Sequence, residues 1–260
     1  MGKRILIIII ITGLVFFLCW LFIPHRSILA QQSGGRDEIV NQTFSEFYIK
    51  FKTSDDEILS GWFFNRGEGT PLVVCYSGNS CNASMFIPYA QQDMSRSYLM
   101  INYRGYGNST GRLKEDNMVS DACEALKYYT AELGTHDVIL LGFSLGTGVA
   151  VQVASRTPQV DKLVLAAPFD SMAAICGVTG IRKFFLKDHF NSVDYAPLIK
   201  CPVHVVYSLT DSVVRAENTQ NLLKAFKCPL TVQKVHGEHS EVISNLYNMN
   251  LIINALNLQE

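Results

Sequence analysis

The sequence has no pair of cysteines spaced as CxxC, no run of basic residues and few charged residues of either sign. Charged side chains make up 17% of the 260 residues, and 22 basic against 23 acidic residues leave a net charge of −1. The cysteine spacing fits neither a zinc ribbon nor a zinc finger, so no metal site is expected. A nucleic-acid partner is not expected either, because basic patches interleaved with aromatics do not occur. We interpret most of the seven cysteines as small buried apolar residues.

A long uncharged segment lies near the N-terminus. Residues 5–23 read ILIIIIITGLVFFLCWLFI, and Lys3 and Arg4 precede them. As a helix this segment is about 28 Å long, close to the thickness of the hydrocarbon core of a bilayer. We expect residues 1–30 to be an N-terminal membrane anchor, with the basic end cytoplasmic and the domain on the non-cytoplasmic side. A cleaved signal peptide ending before Gln31 is the alternative and would give a secreted or periplasmic protein, although its apolar region usually spans only about 7–15 residues.

The rest of the chain divides into a short polar segment and one domain. Residues 31–43 contain QQSGGRDEIVN, which is typical of a linker, and residues 44–260 contain no internal repeat. SEFYIKF and EILSGWFF flank TSDD and predict an N-terminal β-hairpin. Six apolar runs then alternate with segments of helical character: PLVVCYS, SYLMINY, DVILLGF, KLVLAAP, PVHVVYS and LTVQKV. Continuous Val, Ile and Leu runs that alternate with helices predict an α/β fold with a mostly parallel eight-stranded sheet and helices on both faces.

The stretch GFSLG places a serine between two glycines directly after an apolar run. Ser144 lies between Gly142 and Gly146, at the predicted junction of the fifth strand and a helix. Glycine is required where such a sharp turn brings backbone segments together. The helix N-terminus favours developing negative charge. This G-x-S-x-G pattern is that of a nucleophile elbow, so Ser144 is the candidate nucleophile.

A serine nucleophile needs a base and an acid that orients the base, and both occur after later strands. Asp211 follows PVHVVYS and His239 follows LTVQKV, which gives the chain order Ser, Asp, His. His236 follows the same last strand and remains an alternative base. Three further carboxylates are weaker candidates for the acid because they fall in the segment after the sixth strand: Asp170, Asp188 and Asp194.

The loop after the third strand, YSGNSCNAS, is expected to supply part of an oxyanion hole. Gly78 allows close approach, and we assign one donor to the backbone N–H of Asn79 and the other to that of Leu145. The alternative is an ordinary loop in which Asn82 caps a helix.

Together these motifs resemble the α/β-hydrolase superfamily. GFSLG, YSGNSCNAS, INYRGYGNSTG, AAPFDSM, the TD of SLTDS and GEHS match that family from about Phe44 onward. The chain is similar to single-pass, membrane-anchored serine hydrolases of the small-cap "alpha/beta hydrolase domain" kind. It departs from their pattern at Ser77, at Asn102 and at Ser208-Leu209, which stand where His, Asp and His-Gly are more usual.

The resemblance implies an α/β-hydrolase fold preceded by one transmembrane helix, and hydrolysis of an ester or thioester of a lipid or acylated substrate without cofactor or metal. A small cap is expected around residues 169–200. Other functions stay open at this stage: a serine peptidase or acyl transfer on the same fold, or a membrane-tethered binding protein without catalysis.

Two further features allow more than one interpretation. Arg104 and Tyr106 follow the fourth strand and either lie at the rim of the site or form a structural turn. Cys201 and Cys228 precede prolines at the start of two strands that should be neighbours. If the domain faces an oxidising compartment, a disulfide between them is one interpretation, and two half-buried free thiols are the other.

Overall fold

The computed structural model describes residues 37–257 together with Thr12 and Leu29. Apart from those two residues, the expected anchor at 1–30 and the first part of the expected linker at 31–43 lie outside the described residues. None of the helices within the described part of the chain combines the length and the apolar character needed to cross a bilayer.

One eight-stranded sheet organises the domain. The strand order is β1-β2-β4-β3-β5-β6-β7-β8, and all neighbours from β4 to β8 run parallel, while β1 and β2 are antiparallel. The strands are Tyr48–Lys52, Ile58–Phe64, Leu72–Tyr76, Ser97–Ile101, Val138–Phe143, Lys162–Ala166, Val203–Ser208 and Leu230–Val235. Each apolar run selected in the sequence forms one of these strands, and the N-terminal hairpin is present as β1 and β2, so the predicted sheet is confirmed.

Helices cover both faces of this sheet. They are α1 (Asp37–Thr43), α2 (Ile87–Gln92), α3 (Glu115–Leu133), α4 (Leu145–Arg156), α5 (Met172–Ile175), α6 (Ser192–Tyr195), α7 (Ala216–Leu223), α8 (Glu241–Ser244) and α9 (Leu246–Asn257). Alternate residues of β3 face opposite layers: Leu72 and Val74 join the core with α3 and α4, whereas Val73 and Cys75 join the core with α2 and α9. This period of two explains why the central strands are apolar throughout.

The two ends of the sheet differ from its centre. All six residues of β5 are buried, whereas β8 is an edge strand whose Leu230, Thr231 and Lys234 are exposed. Because β8 pairs with β7 and with no other strand of the described residues, a loop that follows β8 receives less support from the sheet than a loop that follows β5.

Two helical features were not specified by the sequence pattern. The helical segment after β8 is divided into α8 and α9 by Asn245, whose backbone is extended. Asn245 Oδ1 accepts a hydrogen bond from the N–H of Tyr247, which starts the second helix there. Helix α1 lies in the second half of the expected linker, and its Val40 packs partly against the core.

The segment 169–200 contains short helical turns above the carboxyl end of β6. Met172, Val178 and Leu186 are buried, while Phe184 is 84% exposed. Three apolar side chains of the expected cap therefore pack inward, whereas Phe184 points to solvent.

Cys201 and Cys228 lie two residues before β7 and β8. The strands pair with Val203 opposite Leu230, so the expected parallel register is present. All six cysteines within residues 37–257 carry thiols, and the disulfide considered from the sequence is not formed. Burial raises the pKa of the Cys228 thiol, which favours its protonated form.

Candidate active site

Ser144 occupies a strained turn between β5 and α4. Its φ of 50° and ψ of −118° lie in a region that non-glycine residues rarely adopt. The surrounding structure holds this conformation through hydrogen bonds from the N–H of Ser144 to the carbonyl of Ala166 (2.9 Å) and from the N–H of Thr147 to the carbonyl of Ser144 (2.9 Å). The hydroxyl of Thr147 also donates to the Ser144 carbonyl at 2.6 Å.

The two glycines around the serine are sterically required. A Cβ atom at Gly142 would lie 2.7 Å from the carbonyl oxygen of Gly146 and 2.8 Å from Cα of Thr147. A Cβ atom at Gly146 would overlap the carbonyl oxygen of Tyr76. Helix α4 thus approaches β3 and β5 at a distance that excludes side chains, which is why the turn is so sharp.

The structure brings Ser144, His239 and Asp211 together in one hydrogen-bonded row. Nε2 of His239 lies 2.8 Å from Oγ of Ser144, and Nδ1 lies 2.7 Å from Oδ2 of Asp211. The Asp211 side chain is 1% exposed and that of His239 is 17% exposed. The N–H groups of Val213 and Val214 both donate to Asp211 Oδ1 at 2.8 Å, so the carboxylate is fixed by three donors.

The ring of His239 is held from a second direction. The Phe143 ring stacks on it with centroids 5.1 Å apart and an interplanar angle of 29°. The absence of a side chain at Gly78 leaves room for Phe143, because a Cβ there would lie 3.1 Å from that ring. Phe143 was not selected from the sequence, although it directly precedes the serine.

The remaining candidates occupy other positions. His236 is exposed. Asp188 accepts a hydrogen bond from the N–H of Glu115 at 2.8 Å and caps α3. Asp194 pairs with the side-chain amide of Asn191. Asp170 accepts hydrogen bonds from the backbone N–H of Ser171 and from the side-chain amides of Asn218 and Asn221.

The loop after β3, which carries Asn79, is tied down by a buried tyrosine. Tyr106 is fully buried, and its hydroxyl accepts a hydrogen bond from the N–H of Ser80 (2.9 Å) and donates to Oδ1 of Asn79 (3.2 Å). The Asn82 side chain accepts from the N–H of Ser84, as the helix-cap alternative predicted. Both interpretations of this loop are therefore compatible, since the cap uses a side chain and the assigned donor is a backbone N–H.

The departure at Asn102 has a structural explanation. Its Oδ1 accepts from the N–H of Ala83 at 2.8 Å, and its Nδ2 donates to the Ser60 hydroxyl at 3.2 Å. A neutral amide can accept and donate at once, which a carboxylate cannot. Asn102 therefore connects the β3 loop to β2 without burying a charge.

Leu145 directly follows the serine, and Cys81 lies in the β3 loop. Leu145 begins α4, and the first N–H groups of a helix have no acceptor within it. Burial raises the pKa of the Cys81 thiol in the β3 loop, which favours its protonated form.

Arg104 binds two carboxylates of the domain rather than residues of the candidate site. Its guanidinium donates to Asp121 and to Asp55 in two bidentate pairs with distances between 2.7 and 2.8 Å. The structural-turn interpretation of the RGYG stretch thus holds for Arg104, while Tyr106 contacts the candidate oxyanion loop. Within residues 37–257 no group of His, Cys, Asp and Glu side chains is arranged to hold a metal ion.

Comparisons with known proteins concern the fold and the family. The protein-family model described as the alpha/beta hydrolase fold matches residues 70–176. An uncharacterized protein of Mycobacterium tuberculosis is 30% identical over 225 residues, which cover 82% of this chain and 75% of that protein. Lysophosphatidylserine lipase ABHD12 of Mus musculus is 32% identical over 157 residues, which cover 56% of this chain and 36% of that protein.

A solved structure is similar in fold. The Pyrococcus furiosus esterase Pf2001 superposes with a TM-score of 0.70 at 18% identity, covering 89% of this chain and 97% of that chain. Taken with the matching family model and the relative from M. tuberculosis, the sheet order and the elbow lead to one conclusion: the chain belongs to the α/β-hydrolase superfamily.

Proposed function

We propose that this protein is a serine hydrolase that cleaves an ester or thioester bond through Ser144, His239 and Asp211. The observation that carries the proposal is the row of hydrogen bonds from Ser144 Oγ through the His239 ring to Asp211, at 2.8 and 2.7 Å. These distances lie within the range in which a base can take a proton from a nucleophile.

The reaction begins with attack by the serine. His239 Nε2 takes the hydroxyl proton while Ser144 Oγ attacks the acyl carbonyl. Asp211 holds His239 Nδ1–H and stabilises the positive charge on the ring; its own carboxylate is kept in place by Val213 and Val214. His239 then protonates the leaving group, and water hydrolyses the acyl-enzyme by the reverse sequence of proton transfers.

The oxyanion of the tetrahedral intermediate would be bound by the backbone N–H groups of Leu145 and Asn79. The first lies at the N-terminus of α4, where the helix dipole favours negative charge. The second lies in the loop that Tyr106 fixes. Loss of one such donor typically costs about 2.7–4 kcal/mol of transition-state stabilisation, so both are expected to matter.

A lipid or other acylated molecule is the substrate class that we favour. The relatives named as lysophosphatidylserine lipases support this choice, although the aligned region covers only 36% of the mouse protein. The apolar side chains of the cap at 169–200 and an anchored domain at 44–260 agree with it. In this proposal residues 1–30 hold the enzyme at a membrane, residues 31–43 connect it to the domain, and the domain lies on the non-cytoplasmic side.

A fluorophosphonate probe tests the proposal directly. The full-length protein in detergent should be labelled and should hydrolyse short-chain p-nitrophenyl esters, whereas Ser144→Ala should do neither while its melting temperature stays close to that of the wild type. His236→Ala is the matched control for His239→Ala: the first should retain activity and the second should lose it. A folded wild-type protein that neither labels nor hydrolyses would instead support the non-catalytic binding alternative.

A series of substrates then separates the remaining alternatives. In a series of acyl esters and thioesters, the rate of cleavage should change with the length of the acyl chain. If peptides are cleaved faster than every ester and thioester, the peptidase alternative replaces the proposed substrate class.

A further inference from the structure

The acid and the base of the proposed triad come from loops with different support. Asp211 follows β7, which lies between two strands, whereas His239 follows β8 at the edge of the sheet. The sheet alone therefore fixes the position of the base loop less firmly. The last residues of the two strands pair at Ser208 and Val235, and the N–H of Leu209 still donates to the Val235 carbonyl at 2.9 Å.

Beyond that point, side-chain hydroxyl groups connect the loop after β7 to the loop after β8. Ser208, Thr210 and Ser212 alternate along the chain on both sides of Asp211, and each contacts the base loop just before His239. Ser208 Oγ donates to the carbonyl of Gly237 at 2.6 Å. The N–H of Gly237 donates to Thr210 Oγ1 at 3.0 Å, and Ser212 Oγ donates to Glu238 Oε2 at 3.0 Å.

Ser208 and Thr210, the two inner hydroxyls, make further hydrogen bonds within the acid loop and to the base loop. The N–H of Thr210 donates to Ser208 Oγ at 3.1 Å, and Thr210 Oγ1 lies 3.2 Å from the Gly237 carbonyl oxygen. Both polar backbone atoms of Gly237 are thus occupied by the acid loop. The φ of Gly237 is 131°, a value open to glycine, so this exchange of hydrogen bonds needs that residue.

We propose that Ser208, Thr210 and Ser212 form a hydroxyl clasp that positions the His239 loop on the Asp211 loop, so that the acid and the base move as one unit. The inference rests on the proposed function, because the clasp acts through His239. The three side chains are positioning residues. Their hydrogen bonds join the acid and base loops, so their loss should lower kcat with little change in KM.

The experiment compares removal of a hydroxyl with retention of the hydroxyl at the same position. Ser208→Ala and Thr210→Val delete the inner bonds, Ser212→Ala deletes the exposed outer bond, and Thr210→Ser retains the hydroxyl. Two matched controls remove hydroxyls outside the clasp: Thr231→Val at the exposed surface of β8, and Ser120→Ala on α3, whose hydroxyl bonds only to its own helix. Full-length variants in detergent are assayed with a short-chain p-nitrophenyl ester, and a fluorophosphonate titration counts reactive serines.

We expect Ser208→Ala and Thr210→Val to lower kcat by about 10-fold or more with KM changed by less than about 3-fold, because small misplacements of catalytic groups cost up to about 100-fold. Thr210→Ser and both controls should match the wild type. Ser212→Ala, which should fold in any case because the side chain is exposed, should lower kcat by a smaller factor.

A second readout does not depend on turnover. The proton on His239 Nδ1, hydrogen-bonded to Asp211, should give a low-field NMR signal, and in Thr210→Val this proton should exchange with water faster than in Thr210→Ser. Folded variants with the kcat and exchange rate of the wild type would overturn the clasp, as would a Thr210→Ser variant as impaired as Thr210→Val. If the wild type neither turns over nor labels, the proposed function fails, and the exchange rates still decide whether the clasp positions His239.

Discussion

Arg104 binds two carboxylates that differ in exposure, and this difference decides what each contributes. The side chains of Arg104 and Asp121 are 6% and 7% exposed, whereas that of Asp55 is 59% exposed. Burial raises the pKa of the Asp121 carboxyl, and the hydrogen bonds from Arg104 oppose that rise. The hydrogen bond from Arg104 lowers the pKa of Asp55 to about 2.

We predict that Arg104→Gln lowers the free energy of unfolding by about 3 kcal/mol or more at neutral pH, because it leaves the buried Asp121 carboxylate without its partner. Asp55→Asn should cost less, since exposed ion pairs contribute little. Denaturant titrations of the purified variants measure both changes, and equal losses in the two variants would contradict the assignment.

The pH dependence follows from the lowered pKa of Asp55. A carboxylate whose folded pKa lies below its ordinary value of 3.8 contributes stability above that value and loses it as the pH falls towards about 2. Asp55→Asn should remove this part of the acid dependence, and at neutral pH the variant should lack the modest stability that the exposed carboxylate contributes there, which denaturant titrations at several pH values measure.

At the scale of the element, the β3 loop depends on a tyrosine from another loop. Tyr106→Phe deletes the two hydrogen bonds to Ser80 and Asn79 but keeps the buried ring. We predict a fall in kcat of about 10-fold, smaller than the loss of an oxyanion donor itself, because the loop loses its tether and the N–H groups remain. Steady-state kinetics with a short-chain ester measures the change.

Tyr207→Phe is the matched control for this variant. The Tyr207 hydroxyl is buried without a hydrogen-bond partner within the described residues, so its removal should leave activity unchanged and stability equal or higher. A Tyr106→Phe enzyme with the kcat of the wild type would mean that the loop holds its shape without the tether.

The elements themselves were largely predictable from the sequence, and their connections were not. Continuous apolar runs identified the central strands, because a strand buried on both faces excludes polar residues along its length, and the hairpin pattern identified β1 and β2. The break at Asn245 escaped notice because one asparagine within a helical pattern is a weak signal. The roles of Tyr106 and Thr210 were missed since each depends on a hydrogen bond between loops distant in the chain. The hydroxyls on both sides of Asp211 in SLTDS were the available signal.

At the scale of the whole molecule, the candidate site combines a nucleophile that follows a central strand with a base that follows the edge strand of the sheet. Ser144 stands on β5 and α4, where Gly142 and Gly146 allow close packing. His239 follows the edge strand β8, which has a partner strand on one side in the described sheet. We therefore expect side-chain hydrogen bonds to fix its position, whereas strand pairing on both sides of β5 supports Ser144. The order Ser, Asp, His along the chain could therefore be predicted from strand ends, whereas the means of aligning the third member could not.

The last prediction concerns attachment to a membrane, which we expect residues 5–23 to provide. Nineteen uncharged residues can satisfy their backbone hydrogen bonds as a helix and span about 28 Å, so we expect stable insertion. Protein from native membranes should remain in the pellet after alkaline carbonate extraction, and mass spectrometry should find residues 1–30 retained. Replacing Ile9 and Val15 with arginine should release the domain, because each charge at the bilayer centre costs about 2.5–3.5 kcal/mol. A soluble wild-type chain that begins near Gln31 would show instead that the segment is a cleaved signal peptide.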